Sequence, residues 1–124
     1  MRKILNLIDL IKTSSILDNF SLIGNLKKQV GNHFFLNPSD AYFQAISLLK
    51  INDKVKKIGV LLSEEIDLIQ IENILCTKAE ETYSSYDDIS YYNFYTINKC
   101  KISFIYRGIS KDILCFKELE ISFE

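Results

Sequence analysis

A chain of 124 residues is long enough for one domain with a sizeable core, and with 48% hydrophobic and 25% charged residues it has the composition of a globular protein. One proline (Pro38) and four glycines leave no linker-like stretch, and the net charge of −1 gives no overall basic surplus for nucleic acid. No apolar run approaches the roughly 18 residues that a membrane-spanning helix needs.

The charge is unevenly spread. Residues 1–60 hold nine Lys or Arg against four acids, and residues 61–124 hold six against twelve. The extreme is 64–88, where Glu64, Glu65, Asp67, Glu72, Glu80, Glu81, Asp87 and Asp88 face only Lys78. Such asymmetry bears on partners rather than on fold.

Taken in chain order, Ile4, Leu7, Ile8 and Ile11 recur at helical spacing and predict an amphipathic helix over 4–12. The start is basic and apolar like a signal peptide, but Asp9 and Lys12 interrupt it and no small-residue cleavage site follows, so a cytoplasmic location is expected. A second helix is expected over 15–30, with Leu22, Ile23, Leu26 and Val30 as its stripe, Gly24 as a weak point and Gly31-Asn32 as its end. His33 to Leu36 is a short apolar run stopped by the turn cluster Asn37-Pro38-Ser39-Asp40. The runs 41–51 and 54–62 read as a hairpin about Asn52-Asp53, two residues that tolerate positive φ.

Ser63 can cap a helix carrying Leu68, Ile71, Leu75, Ala79 and Thr82, with a strand over 66–71 as the competing reading. Tyr91 to Ile97 is rich in strand formers, with Asn98-Lys99 as a turn. Cys100, Ile102, Phe104 and Tyr106 alternate with polar residues as a half-buried strand, Gly108 to Asp112 turns, and Ile113, Cys115, Leu119, Ile121 and Phe123 share the next apolar face around Lys117. The fold class expected is α+β, with N-terminal helices packed on an antiparallel sheet. It admits two helix-plus-meander halves, 15–62 and 68–123, each with two or three strands. No residue-level repeat accompanies them.

Catalytic patterns are sparse. His33 is the one histidine, so the usual zinc sets of three His, or two His and a carboxylate, cannot be assembled. A Cys–His pair would need His33 to meet Cys76, Cys100 or Cys115, two of which fall on apolar strand faces. The odd cysteine count without CxxC spacing suits a reducing compartment. The glycines are scattered, with no phosphate loop and no GxSxG turn. Asp87-Asp88 and Glu80-Glu81 are adjacent pairs, which do not face one another on a helix. No cofactor, metal or enzyme activity is expected. Lys27, Lys28, Lys50, Lys54, Lys56 and Lys57 form the one basic concentration, which without aromatic nucleic-acid motifs reads equally as protection of a strand edge.

The distinctive segment is 80–95, where sixteen residues hold five Tyr, one Phe and four acids. Tyr gives large contact area at low entropy cost, and carboxylates steer a basic partner. The candidate partner-binding residues are Glu80, Glu81, Tyr83, Tyr86, Asp87, Asp88 and Tyr91; the alternative is an ordinary strand beside a solvated loop.

The Ile-, Lys- and Asn-rich usage, the acidic face and the closing segments Lys101-Ile102-Ser103-Phe104-Ile105-Tyr106 and 113–123 resemble the format of immunity proteins of bacterial polymorphic toxin systems, including contact-dependent growth inhibition. The resemblance covers about 90–123. It implies a cytosolic protein that binds and occludes a cognate toxin, often a basic nuclease, with its acids standing in for phosphates; a monomer or weak dimer is expected. From the charge balance and the lack of a long apolar run, no nucleic-acid or membrane partner is expected. A small-ligand-binding domain or enzyme, and a self-assembling accessory subunit of a mobile element, remain as alternatives.

Overall fold

The computed structural model describes residues 2–13, 23–52, 54–84, 89–95, 100–107 and 115–123. Helix α1 (Arg2–Thr13) precedes β1 (Gly24–Val30), β2 (His33–Pro38), β3 (Phe43–Ile51) and β4 (Lys54–Asp67); helix α2 (Leu68–Leu75) precedes β5 (Glu81–Ser84), β6 (Ile89–Tyr95), β7 (Lys101–Arg107) and β8 (Cys115–Ser122). The strands form one antiparallel sheet in the order β1-β2-β3-β4-β8-β7-β6-β5. Among the described residues, each half is thus one helix and a four-strand meander, 2–67 and 68–122. Their last strands pair at the centre and their first strands form the two edges.

Alternation builds the core. Leu36, Ile46, Val60, Leu119 and Phe104 are successive cross-strand partners and all are buried. Two residues along, Leu48, Ile58, Ile121, Ile102 and Phe94 repeat the pattern. A strand presents alternate side chains to opposite faces, so these rows make one face apolar. Ile4, Leu7 and Ile8 of α1 and Ile71 of α2 are buried in the same cluster. In the second half the core is aromatic: Phe104 meets Phe94 and Phe116 edge-on at 5.9 and 5.8 Å, and Tyr92 and Tyr106 meet Phe116 at 5.2 and 6.2 Å. Such pairs add about 0.5–1.5 kcal/mol each beyond the area they bury.

Several expectations are corrected. The helix expected over 15–30 is, from Gly24 onward, the edge strand β1; residues 15–22 lie outside the described set. Its helical spacing of apolar residues had no face to bury, since Leu26 and Val30 stay 50% and 59% exposed. Gly31 ends no helix. It takes φ +59° in the turn between β1 and β2, and His33 opens β2. Gly24 sits where backbone approaches backbone: an added Cβ would collide with the carbonyl oxygen of Asn37.

Ser63 caps nothing, because β4 runs on to Asp67. Instead Asp67 accepts from the backbone N–H of Gln70 (2.8 Å), and the Gln70 side chain accepts in return from the Asp67 N–H (3.4 Å), a reciprocal capping box. Both readings of 64–75 therefore hold in part: strand through Asp67, helix from Leu68. The helical stripe stops at Leu75. Cys76 takes a left-handed cap (φ 54°), Ala79 follows in an irregular segment, and Thr82 belongs to β5.

At the start of β8 Phe116 is buried, while Cys115, expected on the buried face, is half-buried. The phase shift arises where Leu61 pairs with Glu118 but Ile66 pairs with Phe116, so four residues of β4 bulge opposite Lys117. The expected hairpin of 41–51 and 54–62 is present, with Ile51 opposite Lys54 and Asn52 at φ 53°. The strand expected over 91–97 is described as Ile89–Tyr95. The turns expected at 98–99 and 108–112 lie outside the described residues.

Candidate functional site

The sheet has two faces of different character. Opposite the apolar rows run Phe35, Ser47, Gly59, Glu120, Ser103 and Asn93, again as successive partners. Beside them Leu61, Glu118, Ile105 and Tyr91 form a parallel row. Lys57 pairs with Glu120 at 2.8 Å and the Arg107 Nε donates to both Glu118 oxygens at 3.0 and 3.1 Å, all four side chains half open to solvent. Pairs so exposed contribute at most about 1 kcal/mol each, and order the surface more than they stabilise it. Lys28 lies 5.1 Å from the Phe35 ring and Lys101 5.9 Å from that of Tyr95. A shallow cleft of about 600 Å³ crosses this face, with Ser47 and Gly59 in its floor, Lys28 and Phe35 on one side and Arg107, Glu118 and Glu120 on the other.

Four of the seven sequence-derived residues are described, and they lie at one end of the sheet. Glu80 is exposed and its backbone N–H donates to the carbonyl of Asn93 at 2.9 Å, which fixes the entry to β5. Glu81 and Tyr83 lie in β5, opposite Asn93 and Tyr91 of β6. Tyr91 is half-buried. Since β5 ends the sheet, these four positions sit on its outermost ladder. Tyr86, Asp87 and Asp88 lie outside the described residues.

Other acids of 64–88 are placed elsewhere. Glu64 and Glu65 are exposed on the β4 bulge, and the Asp67 carboxylate caps α2. Tyr92 of the rich segment and Tyr106 of β7 are half-buried and pack on Phe116 against the core cluster. Burial, and then the neighbouring Tyr106, push the Tyr92 phenol up.

Asn93 is the residue that sequence reasoning missed. Only 1% of it is exposed, and among the described residues neither its side-chain oxygen nor its nitrogen has a hydrogen-bond partner. A lone Asn in a β-rich segment gives no sign of this; the pairing with Glu81 and Ser103 does.

Nothing among the described residues assembles a catalytic set. His33 is exposed and stacks on Phe35 at 6.5 Å, and three strands separate β2 from β7, beside which Cys100 is buried. Cys76 is exposed. No group of three or more His, Cys, Asp or Glu among the described residues could hold a metal, and no described helix is long and apolar enough to cross a membrane. Comparison with protein-family models, with curated proteins and with solved structures gives no match.

Proposed function

We propose that this chain is a non-catalytic immunity-type protein that binds and occludes a cognate toxin domain with a basic cleft. In this reading the helices pack on the apolar sheet face, and a partner meets the β5 end. The observation that carries it is the gathering of Glu81, Tyr83 and Tyr91 on the terminal β5–β6 ladder, with Glu80 bonded to the Asn93 carbonyl at its entry. Carboxylates there would pair with Lys or Arg of the toxin, and tyrosine rings would fill the contact. Asp87 and Asp88 follow β5 in sequence and would extend the acidic surface.

The test is capture of partners by the tagged chain at low and at moderate salt, beside a variant with Asp87→Lys and Asp88→Lys and another with Glu80→Lys and Glu81→Lys. One basic protein, held by the native chain, released by the reversals and detoxified by co-expression with the native chain, supports the reading. Capture that survives both reversals, or a captured protein whose toxicity is unaffected, overturns it.

The cleft of about 600 Å³ favours a second reading, a small-ligand-binding domain, since that volume falls in the range of ligand sites. Thermal stabilisation by a small molecule, abolished by Ser47→Leu in the cleft floor, would move the assignment there.

A further inference from the structure

The two edges of the sheet carry opposite charge. β1 presents Lys27 and Lys28, both exposed, on a strand in which every residue after Gly24 is exposed. At the other edge β5 begins with Glu81, directly after the exposed Glu80. Among the described residues each edge strand pairs with one neighbour, β1 with β2 and β5 with β6. Half of the backbone N–H and C=O groups of such a strand point away from the sheet, ready to pair with another chain.

Strand polarity adds a second condition. Seven antiparallel ladders separate β1 from β5, an odd number, so the two edge strands run in opposite directions. When a second copy is set beside the first in the same orientation, its β1 meets the first copy's β5 antiparallel. The ladder that results continues the pattern of the whole sheet. The like-edge alternatives bring Lys27 and Lys28 against themselves, or Glu80 and Glu81 against themselves, which like charge disfavours. Charge on an edge strand ordinarily keeps chains apart; opposite charge on the two edges of one sheet permits the head-to-tail contact and forbids the others.

We propose that the chain self-associates head to tail, β5 of one copy adding to β1 of the next through backbone pairing and contacts between Glu80 or Glu81 and Lys27 or Lys28. A heterologous contact of this kind does not close on itself as a two-fold dimer does, so the species grow with concentration. The proposal needs no toxin, and its test uses the purified chain alone, so it stands or falls separately from the functional reading above.

The test is sedimentation of the full chain over about a hundredfold range of concentration, at about 0.05 M and about 0.5 M salt. At low salt the average mass should climb above the 14.4 kDa of one chain, and high salt should bring it back. The variant Lys27→Glu/Lys28→Glu and the variant Glu80→Lys/Glu81→Lys should each stay at the mass of one chain, while their equimolar mixture regains association, because each then supplies the edge that the other lacks. Circular dichroism confirms that both are folded; should either not be, the Gln variants at the same positions replace it and must each lower the native association. A native chain that stays monomeric at low salt, a folded mixture that fails to associate, or oligomers indifferent to charge reversal would each overturn the proposal.

Discussion

Val60 and Leu119 are direct partners across the ladder that joins the two meanders, β4 against β8, and both are buried. Leu119 also pairs with Phe104, so it links the aliphatic core of the first half to the aromatic core of the second. Leu119→Ala should cost about 2–5 kcal/mol, the range for emptying a core leucine site. In urea both halves should unfold in one transition at lower midpoint. Separate transitions for the two halves would show that the seam does not couple them.

The glycines Gly24 and Gly59 predict opposite responses to alanine. At Gly24 the new methyl meets the Asn37 carbonyl, which the β1–β2 ladder holds in place, so about 1–3 kcal/mol is lost. At Gly59 the methyl meets only the Ser47 hydroxyl, at 2.6 Å, which can rotate away. Gly59→Ala should therefore lie within about 1 kcal/mol of the native chain. Any deficit should vanish when Ser47→Ala is added. Equal losses at both sites, in parallel denaturant titrations, would refute this account of their surroundings.

Asp67 stands in for the serine that the sequence suggested as a cap. Asp67→Ala removes the acceptor for the Gln70 N–H and should cost about 1 kcal/mol. Ser63→Ala should not disturb α2, because the Ser63 hydroxyl donates to the carbonyl of Ala41 instead. Amide exchange in residues 68–75 distinguishes the two variants.

Asp40 gives the fold an acid-sensitive contact. Its carboxylate accepts from the backbone N–H of Tyr42 at 2.9 Å and pairs with Lys3 of α1 at 3.0 Å, and these hold its carboxyl below the usual range. A group whose folded pKa lies below its unfolded value stabilises the fold above that unfolded value, near 3.9, and loses its contribution as pH falls through the folded one. The native melting temperature should thus fall on acidification below about pH 4 more steeply than that of Asp40→Asn. Parallel acid limbs would assign no role to this contact.

Asn93 carries a buried amide that bonds to nothing among the described residues. Replacing such a group by an apolar one removes its desolvation penalty, so Asn93→Val should be neutral or stabilising by about 1 kcal/mol. A destabilised Asn93→Val, measured in urea, would mean that the amide is satisfied in solution.

Much of the sheet was legible in the residues. Ile102, Phe104, Leu48, Ile58 and Val60 recur at a period of two, and a strand with one face buried must show that period. The α+β class, the 51–54 hairpin and the tyrosine-rich segment followed from such local patterns. What misled was β1, whose Leu26 and Val30 are exposed and so carry no information about burial. The Ser63 reading failed for a similar reason: cap residues signal a helix start, but the β4 bulge set the actual start four residues later.

By itself, then, the sequence determined the alternation that makes one sheet face apolar, the absence of the familiar catalytic patterns, and the separation of basic from acidic residues along the chain. Those are local properties, written in neighbouring side chains. Only the tertiary structure decided that the two meanders join through β4 and β8, and that β1 and β5 therefore become the two edges. It also decided that Tyr92 and Tyr106 serve the core while Tyr83 and Tyr91 stand on the outermost ladder. Pairing between strands sixty residues apart depends on which apolar surfaces find one another when the chain closes, and no run of adjacent residues records that choice.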